Sequence, residues 1–62
     1  MKLLSYTIKV KKIRGGGFEV NVPKLPGCFT WGKTYEEAIE MAKDAIEGFV
    51  TALAKAGQPI PG

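Results

Sequence analysis

The sequence predicts an α+β fold: a three-stranded antiparallel sheet carrying one packed helix, in the order β-β-β-α. Three observations point there. Apolar and polar residues alternate with a period of two through the first third of the chain. From Thr34 onward the apolar residues recur every three or four positions. The 62 residues leave no room for a doubly wound sheet, whose βαβ units take roughly 30 residues each. A chain this short buries only about 60% of its unfolded surface, so the monomer is expected to be marginal and to gain from self-association.

Leu4, Tyr6, Ile8 and Val10 alternate with Ser5, Thr7, Lys9 and Lys11, which predicts a first strand with one buried face. Arg14-Gly15-Gly16-Gly17 is a hairpin loop, because glycine reaches positive φ without steric cost. Phe18, Val20 and Val22, alternating with Glu19 and Asn21, form the returning strand. Pro23 has no N–H to donate and ends that ladder, and Pro26-Gly27 makes a second turn. Cys28–Trp31 is a short third strand.

Thr34 opens the helix. Thr34-Tyr35-Glu36-Glu37 has the spacing of a capping box, and both glutamates stand where the helix dipole favours negative charge. Ala38, Ala42, Ala45, Ile46, Phe49, Val50 and Leu53 make an amphipathic stripe that faces the sheet. Gly57 is the expected C′ residue, with Pro59 and Pro61 preventing continuation. Gly48 interrupts the helix, either to let a neighbour approach beside Ala45 and Ala52 or because it is merely tolerated, at about 1 kcal/mol relative to alanine.

Charge is unevenly distributed. Residues 1–33 carry seven basic side chains and one acid, Glu19, whereas residues 34–62 carry Lys43 and Lys55 against five acids. Such a dipolar chain suits a charged partner or head-to-tail contacts. Cys28 is the one cysteine and there is no histidine, so neither a disulfide framework nor a zinc site can be assembled within the chain. A lone thiol fits a reducing, cytoplasmic setting, and no apolar run is long enough to span a membrane.

Gly27-Cys28-Phe29-Thr30-Trp31-Gly32-Lys33-Thr34 satisfies the phosphate-loop pattern G-x-x-x-x-G-K-T. Its chemistry argues otherwise. A phosphate loop needs small residues whose amides wrap an anion, and Cys-Phe-Thr-Trp alternates like a strand. Nucleophilic catalysis from Cys28 lacks a histidine base. No catalytic, cofactor-binding or metal-binding residue is therefore assigned.

Two surfaces remain. Tyr6, Phe18, Phe29 and Trp31 lie on strands among basic residues, as a nucleic-acid stacking sheet would require, but such aromatics are expected to fill the core beneath the helix. Direct nucleic-acid contact is accordingly not expected. Glu36, Glu40, Asp44 and Glu47, three or four residues apart, form one exposed acidic stripe along the helix, with Lys43 inside it positioned for an i,i+4 pair with Glu47. These four acids are the candidate partner-binding residues.

Over almost the whole chain, and most specifically at Phe18–Glu37, the sequence resembles the HicB antitoxin family. The resemblance rests on a glycine-rich hairpin and then Val22-Pro23-Lys24-Leu25-Pro26-Gly27-Cys28. The pattern T-x-G-x-T-x-E-E-A follows at Thr30–Ala38, and a helix closes with G-x-x-I-P at Gly57–Pro61. It implies a partial ribonuclease-H-like fold with a further short strand. It also implies inhibition of HicA, a small basic nuclease that cuts mRNA. A ribonuclease-H site gathers several carboxylates around magnesium, and the strands here offer only Glu19. The chain is thus expected to be a non-enzymatic antitoxin that occludes a HicA-type toxin. Residues 1–62 are read as a single HicB-like domain without the C-terminal DNA-binding domain usual in full antitoxins. A homo-oligomer, dimer or tetramer, is expected. A stand-alone oligomer lacking a toxin and a nucleic-acid-binding module are the alternatives.

Overall fold

The computed structural model describes residues 2–61. In chain order, β1 is Lys2–Leu3, β2 is Tyr6–Thr7, β3 is Lys9–Lys12, β4 is Phe18–Asn21, β5 is Phe29–Gly32 and α1 is Tyr35–Lys55. The strands β3-β4-β5 form an antiparallel meander, and β1 and β2 form a separate two-stranded hairpin. The architecture is the expected α+β sheet with one C-terminal helix. The helix packs chiefly on β5 and secondarily on β4.

The first strand differs from expectation. The alternation from Leu4 to Lys11 is broken by a tight turn in which Leu4 and Ser5 both take positive φ, 51° and 71°. A two-residue hairpin loop with positive φ at both positions matches the right-handed twist of its strands. It is normally built from Asn and Gly, and Leu-Ser carries no such signal. The turn swings Leu4 outward, leaving it 47% exposed, while Leu3 takes the buried place beside Tyr6. Past the turn the expected alternation holds: Tyr6 and Ile8 are buried, Val10 is half-buried, and Thr7, Lys9 and Lys11 are exposed.

The β3–β4 hairpin closes as expected. Gly15, Gly16 and Gly17 all have positive φ. The Ile13 amide donates to the Gly17 carbonyl at 2.9 Å, and the Gly16 amide to the Ile13 carbonyl at 3.1 Å. Lys9 pairs with Asn21 and Val10 with Val20. Across the next ladder Glu19 pairs with Trp31 and Val20 with Thr30.

The proline-containing link from β4 to β5 is pinned by its own backbone. Val22 donates to the Cys28 carbonyl at 3.0 Å, Leu25 to Val22 at 3.0 Å, and Cys28 to Leu25 at 2.8 Å. This loop drives Leu25 fully into the core, where it joins Val20, Val22 and Ile46 as the largest completely buried side chains. Burying each such side chain contributes about 1.5–3 kcal/mol. Strand β5 begins at Phe29, one residue later than the sequence suggested, because Cys28 is still closing this loop.

The helix obeys its end signals. The Glu37 amide donates to Thr34 Oγ1 at 3.1 Å. The Glu37 carboxylate accepts from the Lys33 amide at 3.1 Å, which closes the cap one residue earlier than a standard capping box does. At the other end Gln58 donates to the Leu53 carbonyl at 2.9 Å and Gly57 to Ala54 at 3.1 Å. With Gly57 at φ 70°, this is a Schellman cap. Ala38, Ala42 and Ile46 are buried, whereas Phe49, Val50 and Leu53 are only half-buried. The second half of a helix about 31 Å long thus extends beyond the sheet, and the molecule measures 39 × 17 × 16 Å.

Two glycines behave differently. A Cβ on Gly32 would lie 2.8 Å from the Glu37 carbonyl carbon and closer still to the Ala38 amide nitrogen and Cα. Gly32 therefore lets the first helical turn rest directly on β5. A Cβ on Gly48 would meet nothing within 4 Å, so that glycine is tolerated rather than required by packing.

Candidate partner-binding surfaces

The acidic stripe is assembled by helical geometry alone. At 100° per residue, Glu36, Glu40, Asp44 and Glu47 fall within roughly an 80° arc and extend about 16 Å along α1. All four are exposed, on the side away from the buried Ala38, Ala42 and Ile46. Lys43 Nζ lies 3.6 Å from Glu40 Oε1. The lysine thus turns back to Glu40 instead of forward to Glu47 as the sequence suggested. Met41, 46% exposed, stands beside the stripe as an apolar neighbour that the charge pattern did not flag.

Glu47 also belongs to a second feature. It lines an open groove of about 410 Å³ together with Leu4, Tyr6, Ile46, Val50 and Thr51. The groove exists because the β1–β2 turn pushes Leu4 outward opposite the half-covered end of the helix apolar face. The chain's C-terminal segment closes on the same hairpin, with the Tyr6 hydroxyl donating to the Pro61 carbonyl. An acidic ridge therefore runs into an apolar recess, with one residue common to both.

The sheet's outer face corrects the expectation about aromatics. Tyr6 is buried, and Phe18 packs edge-on against Tyr35 with ring centroids 5.9 Å apart. Phe29 and Trp31 are not core residues: they are 66% and 48% exposed. Alternation along β5 sends them to the face opposite the helix, where the register aligns them with Asn21 and Glu19 of β4 and, beyond these, with Lys9 and Lys11 of β3. The sequence could not assign that face, because Phe18 and Trp31 show the same alternation and only the helix's position separates them.

The loop that imitates a phosphate site is absorbed by structure. Phe29–Gly32 is strand, and Thr34 is occupied as N-cap. Burial raises the Cys28 thiol pKa above its ordinary value, which favours the neutral thiol. Among the described residues no three of His, Cys, Asp and Glu are grouped so as to hold a metal ion. No helix among them is long and apolar enough to cross a membrane.

A profile described as the HicB-like antitoxin of bacterial toxin-antitoxin systems matches residues 6–62. The chain belongs to the HicB-like antitoxin family. A UPF0150 protein of Thermoplasma acidophilum, Ta0767, is 45% identical over 58 residues, covering 94% of this chain and 84% of that protein. Another, ssr1765 of Synechocystis sp., is 37% identical over 60 residues, covering 97% and 76%. The protein named Antitoxin HicB 1 of Photorhabdus laumondii is 39% identical over 46 residues, covering 74% of this chain and 30% of that protein. The similarity to that antitoxin therefore covers less than a third of its length.

Proposed function

We propose that this chain is a non-enzymatic antitoxin domain that neutralises a HicA-type mRNA nuclease by covering it. The observation that carries the reading is the continuity at Glu47 between the acidic stripe and the apolar groove. Tight interfaces combine a desolvated apolar anchor with a polar rim, and here the groove offers the first and Glu36, Glu40, Asp44 and Glu47 the second. Acidic groups suit a basic nuclease surface and speed its capture by electrostatic steering. Membership in an antitoxin family supports the toxin as partner.

The charge half of this reading is tested by the double variant Glu40→Lys/Glu47→Lys. Both side chains are exposed, so the fold should persist. Toxin affinity falls and its salt dependence flattens; an affinity equal to that of the natural chain removes the stripe from the interface.

A homo-oligomer belongs to the same proposal. Phe49, Val50 and Leu53 remain half-covered, and β3 and β5 are both edge strands of the sheet. The lone thiol suits the cytoplasm as the compartment.

A further inference from the structure

We propose that the outer face of the β3-β4-β5 sheet binds single-stranded RNA, independently of the helix surface assigned to the toxin. Phe29 and Trp31 stand on this face two residues apart, about 7 Å along the strand, a spacing that an extended strand can match with successive bases. Base stacking on such rings is tolerant of sequence, because every base has a π-face. The Trp31 ring is held in place by packing. A Cβ on Gly17 would lie 2.5 Å from its Cε2 and Cζ2 and closer to Nε1, so the indole rests against the bare backbone of the hairpin loop. A ring already ordered loses little freedom when a base stacks on it.

Charge selects the occupant. Lys9 and Lys11 share the face with the two rings, and Glu19 is the single carboxylate there. Arg14 and Lys33 are exposed at the end of the sheet where Trp31 lies over the hairpin. Residues 1–33, which build the whole sheet, carry seven basic groups and one acid. A basic toxin would be repelled from this side, and two copies stacked through it would oppose lysine with lysine. A polyanion with exposed bases satisfies both the cations and the rings. The molecule is then two-faced: an acidic helix for a basic protein and a basic, aromatic sheet for RNA.

Trp31 is the chain's one tryptophan, so intrinsic fluorescence reports on the site itself. The full chain is titrated at low salt with a mixed-sequence single-stranded RNA of about 12 nucleotides, a length within the range single-strand binders cover, and with the matching duplex. Saturable quenching by the single strand is expected, with affinity falling steeply as salt rises and with weaker binding to the duplex. With a dye-labelled strand and its anisotropy as the readout, because Trp31→Ala removes the intrinsic reporter, Phe29→Ala and Trp31→Ala should each weaken binding roughly tenfold, with far-UV circular dichroism confirming that both variants fold. Phe29, the more exposed ring, keeps the test valid if Trp31→Ala loses structure. Absence of quenching, equal binding of the duplex, or full affinity in a folded Phe29→Ala protein would overturn the proposal. So would a fluorescence change that follows protein concentration alone, which would assign the face to self-association.

Discussion

Gly32→Ala adds one methyl group at the point where β5 meets the first turn of α1. The φ of Gly32 is not in the left-handed region, so the substitution tests space and not backbone preference. The new carbon would stand 2.8 Å from the Glu37 carbonyl carbon and nearer to two backbone atoms of Ala38, where ordinary van der Waals contact begins at 3.4 Å. The atoms in the way are helix backbone, which has no rotamer by which to yield. The helix must therefore back away from the strand, loosening Ala38 and Ala42, both fully buried. Overpacking of this kind costs about 3 kcal/mol. A domain of this size has a total stability of roughly 3–9 kcal/mol, so the variant should lose a third of its stability or more, with Tm falling by about 15 °C. Thermal and urea denaturation followed by far-UV circular dichroism measure this. A loss under about 0.5 kcal/mol, the usual range for inert surface changes, would refute the close helix–strand approach on which the fold rests.

Gly48→Ala should act in the opposite direction, stabilising the protein by about 0.5–1 kcal/mol in urea titrations, because nothing surrounds that position and glycine is a poor helix former. Thr34→Ala removes the acceptor for the Glu37 amide and should cost about 1 kcal/mol by the same assay, with Thr34→Ser restoring most of it. Replacing Leu4-Ser5 by Asn-Gly puts residues suited to positive φ into the β1–β2 turn and should raise stability by about 1 kcal/mol. That double variant also removes an apolar wall of the groove, so toxin affinity should fall although the protein melts at a higher temperature.

The parts of the fold that could be read from the sequence are those fixed by local chemistry. Thr34, Gly57 and the glycine run at 15–17 announce a helix start, a helix stop and a hairpin, because each works through its own side chain or its lack of one. The exposed acidic stripe was equally legible, since the helical period alone sends Glu36, Glu40, Asp44 and Glu47 to one side. What failed was long-range or unsignalled. The turn at Leu4-Ser5 uses residues with no preference for positive φ, so an apparent strand concealed a hairpin. Leu25 sits between prolines without periodicity, and only the loop's three backbone hydrogen bonds turn it into the core. The outward face of Phe29 and Trp31 depends on which side the helix covers, and alternation is symmetric with respect to that choice. The groove beside Glu47 joins residues more than forty positions apart in sequence, and no linear pattern marks it.

Whether this small domain acts by occlusion is decided by an mRNA-cleavage assay with a purified HicA-type nuclease. Adding the chain should abolish cleavage at a stoichiometric ratio, and Glu40→Lys/Glu47→Lys should require a large excess to do the same. Undiminished cleavage in the presence of excess folded chain would contradict the occlusion mechanism, as would degradation of the mRNA by the chain alone.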